Sequence, residues 1–341
     1  MQFSTFMTQW LYGEDAYYSK YREIGKGGDF YTAVSSSMFF GGSIANRLIY
    51  SIDEGFLDEN CAIVEIGAHQ GYMLADIVQF IYTLRPKLLK SLEFVIIEPY
   101  PENIKAQLKY FEESFGDLVT LQHFDSLEKV RKKSAYVVAN EIFDAFPCEL
   151  VKEDKMLFMD GFTPEFKEQT EDVKAHCEKY GIKSGEVGTA YEAFAKSLYG
   201  AFDKFEFVTF DYGDKGKRND FSIRIYHEHK TYPFFALTDF MTIETEKPKE
   251  VTIESLYKIS DITYDVNFEH LIDAFESEGV KLELFKTQMA MLVEFGMIAL
   301  LDELQKNVDE KTYKSEMNRA KVLIDPSFMG ERFKGVVFRR G

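Results

Sequence analysis

A turn that follows an apolar strand carries the residues whose types and spacing could do chemistry. The segment VEIGAHQGYMLAD, residues 64–76, places Glu65 near the end of the strand and Gly67 and Gly71 in the turn, and an amphipathic helix follows. Glycines let a backbone turn tightly and approach a ligand, and the first turn of a helix offers free N–H groups. The segment predicts either a nucleoside-cofactor site or a sharp strand-to-helix connection that holds no ligand.

The glycine spacing separates two classes of cofactor. A dinucleotide fingerprint needs G-x-G-x-x-G, but position 69 is His and position 72 is Tyr. S-adenosylmethionine sites usually carry E-x-G-x-G-x-G, and EIGAHQG keeps Glu65, Gly67 and Gly71 but has His69 at the middle glycine. The turn therefore disfavours a nicotinamide enzyme and remains compatible with S-adenosylmethionine.

Polar side chains also end the strands that follow. Glu98 ends VIIEP, where an acid can accept hydrogen bonds from both ribose hydroxyls, and Asp125 follows LQHF, where adenine edges are commonly met. The structural alternatives are an exposed acid before a turn for Glu98 and a helix N-cap for Asp125. The segment VVANEIFDAFP then places Asn140, Glu141 and Asp144 directly after an apolar strand. Buried carboxylates are costly unless something pairs with them, so these acids either form structural salt bridges or hold a cationic substrate.

The elements that position these residues form an α/β pattern. From residue 61, near-continuous apolar strands alternate with helices, which indicates a parallel sheet covered on both faces. We predict a seven-stranded, mostly parallel sheet of the class I methyltransferase (Rossmann-like) type, with an N-terminal helical cap and helical insertions. The predicted parts are the cap with its Gly-rich loop at 1–57, the core at 58–151, 201–231 and 262–341, and a substrate or partner subdomain at 152–200 and 232–261.

Composition limits the partners. The 341-residue chain carries 57 acidic and 40 basic residues, a net charge of −17, and we find no local basic patch. Such a surface repels phosphate backbones and anionic lipids, so we expect neither nucleic acid binding nor membrane insertion, and a basic protein or peptide fits better. Three cysteines without paired spacing and the lack of a secretion-signal pattern predict a cytoplasmic protein. His227 and His229 have no evident third ligand, so we predict no metal site.

Eight segments of the chain form a pattern that is more specific than any glycine turn. They are GDFYTAVSSSMFFGGSIA (28–45), VEIGAHQGYMLADI (64–77), IIEPYPENIKAQ (96–107), VVANEIFDAFPCELV (137–151), FDYG (210–213), IRIYHEHK (223–230), DITYDVNFEHL (261–271) and MGERFKGVVFRRG (329–341). With these segments the chain resembles the MidA-type methyltransferases, the family that includes the mitochondrial complex I assembly protein arginine methyltransferase. The resemblance spans nearly the whole sequence.

The resemblance implies a class I fold that binds S-adenosylmethionine and releases S-adenosylhomocysteine. For the mitochondrial relatives it also implies symmetric dimethylation of a protein arginine. By matching motifs, the residues over and around the cofactor would be Gly28, Asp29, Phe30, Tyr31, Thr32, Glu65, Gly67, Gly71, Glu98 and Asn140. Ala68 and Asp125 complete the predicted cofactor set, and Glu141 and Asp144 would face the acceptor.

Glu141, assisted by Asp144, is our hypothesis for catalysis on a guanidinium acceptor. Methyl transfer from a sulfonium is an in-line displacement, so holding the nucleophile in line with the leaving sulfur supplies most of the acceleration. Delocalised charge makes a guanidinium a poor nucleophile. A carboxylate paired with one of its nitrogens would orient the group and localise electron density on the other nitrogen.

Two positions depart from the family pattern. The family usually has Gly where this chain has His69, and commonly Pro where it has Val34. His is one of the residue types that tolerate a left-handed backbone, so the turn can survive. Two alternatives remain open: a methyltransferase that acts on a small molecule or another side chain, and a noncatalytic assembly factor that retains the fold.

Overall fold

The structure, a computed structural model, describes residues 1–20, 32–216, 218–238 and 251–341. The chain divides into two compact units. The first unit contains Met1–Tyr31, Phe143–Ala193 and Gly213–Asp273, and the second contains Thr32–Ile142, Phe194–Tyr212 and Ala274–Gly341. The domain boundaries proposed from the sequence stay a prediction.

Helices and strands alternate along most of the described chain. The α-helices are α1 Phe3–Leu11, α2 Ala33–Ser36, α3 Phe39–Asp53, α4 Tyr72–Leu84, α5 Pro101–Phe115, α6 Glu171–Tyr180, α7 Tyr191–Ala201, α8 Ile253–Leu256, α9 Phe268–Ser277, α10 Gln288–Glu294, α11 Met297–Asn307 and α12 Glu310–Ile324. The strands are β1 Ala62–Ile66, β2 Glu93–Ile97, β3 Leu121–Phe124, β4 Lys132–Asn140, β5 Cys148–Lys152, β6 Lys155–Asp160, β7 Thr163–Glu168, β8 Ser184–Gly188, β9 Phe202–Asp214, β10 Arg224–His227, β11 Lys230–Pro233, β12 Asp261–Thr263, β13 Val266–Asn267, β14 Lys281–Thr287 and β15 Phe333–Arg340.

The central sheet contains seven strands side by side, in the order β14-β15-β9-β4-β1-β2-β3, and β13 pairs with the end of β9. From β9 to β3 all neighbours are parallel, whereas β15 runs antiparallel to both β9 and β14. Most residues of β1, β2 and β4 are buried, which explains their nearly continuous apolar sequence. The predicted α/β fold with a seven-stranded, mostly parallel sheet is confirmed.

The prediction that residues 152–200 are mostly helical is wrong. This region contributes most of a four-stranded antiparallel sheet in the order β7-β6-β5-β8, together with α6 and most of α7. Tight turns with positive φ at Glu153 (57°) and Gly161 (56°) join its first three strands. Such turns match the twist of paired strands, and cross-strand pairing outweighs the local helical propensity of this polar segment.

Each unit has its own hydrophobic core. In the second unit, buried residues of α3 and α4 pack with those of β1, β2 and β4 on the central sheet. In the first unit, the buried face of α1 packs with residues of β5, β6, β10 and β12, and Trp10 donates its indole N–H to the carbonyl of Ser260 at 2.8 Å. Within the described ranges, no helix has the length and apolar character needed to cross a membrane.

Candidate functional site

Four neighbouring strands of the second unit end along one edge of the central sheet. Ile66 of β1 lies level with Ile97 of β2 on one side and Ala139 of β4 on the other, and Ile97 lies level with Phe124 of β3. The next strand of this sheet along the chain is β2 after β1 and β9 after β4, and these two strands lie on opposite sides of the β1–β4 pair. In an open parallel sheet this is where ligands bind, beyond the carboxyl ends of the strands. The structure therefore brings together the turn after β1, Glu98, Asp125, Asn140 and Glu141.

The turn after β1 uses left-handed backbone at three residues: Gly67 (φ 72°), His69 (φ 48°) and Gly71 (φ 78°). The N–H of Gly71 donates to the carbonyl of Ala68 at 2.7 Å and closes the turn. A Cβ atom at Gly67 would lie 2.9 Å from the side chain of Ile142, and one at Gly71 would lie 3.1 Å from the ring of Phe111. Both glycines are thus required by backbone conformation and by close packing.

Glu65 supports the helix that follows the turn. Its buried carboxylate accepts a hydrogen bond from the N–H of Leu74, in the first turn of α4, at 3.1 Å. Gly71 is the N-cap of α4 and has no side chain to do this, so Glu65 replaces the missing cap. Burial raises the pKa of Glu65 to about 8, with a smaller contribution from Asp76, and the Leu74 hydrogen bond opposes the shift.

Glu98 follows β2 and is buried in a hydrogen-bond network. One carboxylate oxygen accepts from the N–H of Tyr100 at 3.0 Å, and the other accepts from the amides of Asn103 and Gln107, each at 3.2 Å. Burial raises the pKa of Glu98, and these three hydrogen bonds oppose the rise. The carboxylate is therefore fixed in orientation at the end of its strand.

Asp125 lies at the same edge of the sheet, directly after β3, but its contacts in the structure indicate a surface ion pair. Its carboxylate forms an ion pair with Lys129, four residues later, and both side chains are about half exposed. The N-cap of the following short 3₁₀-helix is Ser126 rather than Asp125. The predicted contact of Asp125 with adenine stays a prediction.

Asn140 and Glu141 lie together at the end of β4. The Asn140 amide donates to Oε1 of Glu141 at 2.7 Å, and the same oxygen accepts from the N–H of Ala33 at 3.4 Å. Glu141 has a left-handed backbone (φ 53°), and its N–H donates to the carbonyl of Phe210 at 2.8 Å. The Asn140 side-chain oxygen is buried and accepts no hydrogen bond from any residue within the described ranges.

The structure describes two of the remaining predicted residues, Thr32 and Asp144. Thr32 is the N-cap of α2 and forms a reciprocal capping box with Ser35. Asp144 belongs to the first unit, where it is buried in a short 3₁₀ turn and its carbonyl accepts from the N–H of Tyr264 at 3.0 Å. Gly28, Asp29, Phe30 and Tyr31 lie outside the described residues.

The polar face of α5 was not predicted from the sequence. The buried residues of this helix are Asn103, Gln107 and Phe111, spaced four apart on one face. Gln107 reaches the carbonyl of His69 at 2.8 Å and the ring of His123 at 2.9 Å in addition to Glu98. The sequence feature that could have revealed this face is the pair of amide side chains at i, i+4 spacing, Asn103 and Gln107, because an amphipathic helix is expected to turn apolar residues toward the sheet.

This edge fits a cationic nucleoside cofactor with an amino-acid tail. Glu98 offers a fixed carboxylate for ribose hydroxyls, the Asn140 oxygen is a buried acceptor available to an ammonium group, and the two glycines keep the turn open for close backbone approach. Together with the strand order and the antiparallel β15, these features define a class I S-adenosylmethionine-dependent methyltransferase.

The chain belongs to the family described as "Putative S-adenosyl-L-methionine-dependent methyltransferase", whose family model matches residues 53–286. The cofactor of this family is S-adenosylmethionine. The chain is 23% identical to "Protein arginine methyltransferase NDUFAF7, mitochondrial" of Danio rerio, over 93% of this chain and 78% of that protein. The MidA-type family relationship predicted from the sequence is confirmed.

Two solved structures from Burkholderia thailandensis share the fold over the whole chain. A COG1565 superfamily member bound to S-adenosyl-homocysteine superposes with a TM-score of 0.81 at 21% identity, covering 100% of this chain and 88% of that one. A native structure of a COG1565 superfamily protein gives a TM-score of 0.78 at 21% identity, covering 100% and 87%.

Proposed function

We propose that this chain transfers methyl groups to arginine on a basic protein or peptide. The similarity to a protein arginine methyltransferase motivates the choice of acceptor. The observation that carries the proposal is Glu141, a carboxylate held in a left-handed backbone at the edge of the sheet where the cofactor class binds. The net charge of −17 favours a basic acceptor over an acidic one.

In this proposal the second unit holds the cofactor. Glu98 would accept hydrogen bonds from the ribose hydroxyls, the turn from Gly67 to Gly71 would lie against the methionine moiety, and the Asn140 oxygen would accept from its ammonium group. When bound, S-adenosylmethionine supplies a methyl group activated on a sulfonium. The residues of this chain would orient the two reactants for the transfer.

Glu141 would act on the acceptor. Hydrogen bonds from Asn140 and Ala33 fix its carboxylate, so it can pair with one nitrogen of a guanidinium and aim another at the methyl carbon. The attacking nitrogen would take the methyl group that bound S-adenosylmethionine supplies, leaving S-adenosylhomocysteine, and the proton that this nitrogen loses would pass to the Glu141 carboxylate. The assisting role of Asp144 stays a prediction.

The first experiment compares two acceptors. Purified protein is incubated with methyl-labelled S-adenosylmethionine and either an arginine-containing basic peptide or the same peptide with lysine at each arginine, and the products are analysed by mass spectrometry. We expect label only on the arginine peptide. Transfer to the lysine peptide alone, or to neither peptide despite tight S-adenosylhomocysteine binding, would contradict the arginine proposal and favour the other acceptors or the noncatalytic alternative.

A substitution at Glu141 tests its role. Glu141→Gln keeps an acceptor for the Asn140 and Ala33 donors but removes the charge and the proton acceptor, so kcat should fall about 100-fold while the Kd for S-adenosylhomocysteine changes little. Glu153→Gln is the matched control, because Glu153 also has positive φ (57°) but lies in the turn between β5 and β6. Full activity in Glu141→Gln would remove Glu141 from the mechanism.

A further inference from the structure

Gln107 on α5 connects two parts of the cofactor edge that are separate in sequence. Its side chain is fully buried, and its amide nitrogen lies 2.8 Å from the carbonyl oxygen of His69 and 3.2 Å from a carboxylate oxygen of Glu98. One amide thus contacts the turn after β1 and the acid after β2. These are the parts of the site that would hold the methionine moiety and the ribose.

The hydrogen-bond roles within this network follow from its chemistry. Both the His69 carbonyl and the Glu98 carboxylate are acceptors, so the Gln107 nitrogen donates to both, one hydrogen each. The Gln107 oxygen must then accept, and its neighbour at 2.9 Å is Nε2 of His123 on β3. Burial lowers the pKa of His123, which favours the neutral ring, and a neutral ring with its proton on Nε2 completes the network.

The network explains how the turn holds a non-glycine residue at its centre. The backbone of His69 is in the left-handed region (φ 48°), which costs a residue other than glycine free energy. The Gln107 amide holds the carbonyl of that residue, and the Phe111 ring, one helical turn further along α5, packs against the position of Gly71. Residues of α5 therefore support the turn at two points, the carbonyl of His69 and the position of Gly71.

We propose that Gln107, oriented by His123, is a positioning residue that sets the geometry of Glu98 and of the turn for cofactor binding. The inference rests on the proposed roles of Glu98 and the turn in holding S-adenosylmethionine. Gln107 acts through these groups and touches no reacting atom. If Gln107 only stabilised α5, its substitution would weaken the binding of all ligands by the same factor, because a loosened helix would not affect the ribose contact selectively.

The test measures the affinities of two ligands by calorimetry, S-adenosylhomocysteine and its 2′,3′-dideoxy analogue. In the natural protein the missing hydroxyls should raise Kd about 30-fold or more, because Glu98 loses its partners. Gln107→Met keeps the side-chain length but removes all three hydrogen bonds. We expect it to raise the Kd for S-adenosylhomocysteine about 10-fold or more and to reduce the ratio between the two ligands to about 5 or less.

A control and a second variant keep the result interpretable. Gln122→Met alters a glutamine on β3 that hydrogen bonds to the partly exposed side chains of Glu93 and Lys132, and it should leave both affinities unchanged. If Gln107→Met fails to fold, Gln107→Leu replaces it, because leucine is similar in volume and has no group that can donate to His69 or Glu98. Weakening of both ligands by the same factor, or no weakening, would overturn the role of Gln107. Failure of the natural protein to bind S-adenosylhomocysteine would overturn the cofactor site itself.

Discussion

Two non-glycine residues with left-handed backbone, His69 and Glu141, follow neighbouring parallel strands at the cofactor edge. Other described residues of this kind, such as Glu153 and His229, lie in tight hairpin turns that favour such a backbone. Strain of about 1–3 kcal/mol persists only where surrounding structure imposes it, and it is concentrated at functional sites. The strain at His69 and Glu141 is therefore consistent with the proposed site.

The sequence predicted where most second-unit site residues lie but not what each carboxylate contacts. Strand ends and glycine spacing were enough to place Gly67, Gly71 and Glu98 at one edge. The sequence could not show that Glu65 caps α4, because that contact depends on the path of the turn. Gln107 was missed because its three partners lie after β1, after β2 and on β3, and such long-range contacts leave little trace in local spacing.

A substitution at Gly71 tests the close packing of the turn. Gly71→Ala adds a Cβ atom 3.1 Å from the Phe111 ring and places a non-glycine residue at φ 78°. Backbone strain alone should cost about 1–2 kcal/mol, and the crowding adds to that cost and shifts the turn. We expect a lower free energy of unfolding in urea and about 10-fold weaker S-adenosylhomocysteine binding.

Gly55→Ala is the control for the packing contribution. Gly55 has nearly the same backbone (φ 76°), but no atom lies within 4 Å of the added Cβ position. It should lose only the strain energy and bind the ligand normally. Equal loss of stability in the two variants would show that Phe111 yields freely, and the packing argument for Gly71 would fail.

At the scale of the elements, a buried ion network joins α3 to the central sheet. Glu206 of β9 is fully buried and accepts two hydrogen bonds from Arg47 of α3, at 2.8 and 3.0 Å, and one from Arg339 of β15 at 2.6 Å. Ser51 donates to the same carboxylate at 3.2 Å. This network could not be predicted from the sequence, because Glu206 lies more than 100 residues from each of its partners and each member belongs to an ordinary amphipathic or apolar pattern.

Removing the central charge should strongly destabilise the fold. Glu206→Gln leaves Arg47 and Arg339 close together with no carboxylate between them, and breaking a buried ion pair in this way costs about 3–5 kcal/mol. The control is Glu283→Gln, because Glu283 is 42% exposed and lies 3.7 Å from Arg339. That change should cost less than about 1 kcal/mol. Urea unfolding of both variants measures the difference, and a Glu206→Gln protein as stable as the control would refute the argument.

The whole molecule combines two units with separate cores. Each unit contains a buried titratable group, and pH changes the contributions of these two groups to the free energy of unfolding in opposite directions. In the second unit, burial raises the pKa of Glu65 to about 8. In the first unit, burial, with a smaller contribution from the nearby ring of His270, lowers the pKa of His176 to about 4. Both groups prefer to be neutral when buried, so rising pH opposes the burial of Glu65 and falling pH opposes the burial of His176.

The direction of each effect follows from linkage. Glu65 has a folded pKa above its unfolded value of 4.5, so its contribution is fully present below pH 4.5 and is lost as pH rises through about 8. His176 has a folded pKa below its unfolded value of 6.5, so its contribution is present above pH 6.5 and is lost as pH falls through about 4. The two effects oppose each other between about pH 4.5 and pH 6.5, so the combined contribution of these two groups should be largest in that interval and should decline on both sides of this maximum.

Neutral substitutions assign each side of that maximum to its group. Relative to the natural protein, Glu65→Gln should gain about 2–5 kcal/mol between pH 5 and pH 9, and His176→Gln should gain about 1–3 kcal/mol between pH 7 and pH 4. Urea unfolding across this pH range measures both gains. Glu186 also titrates near neutrality, because burial raises its pKa to about 7, but it is common to both variants and cancels in the comparison. If either variant shows a stability difference from the natural protein that does not change with pH, the group at that position titrates normally and the burial argument for it is wrong.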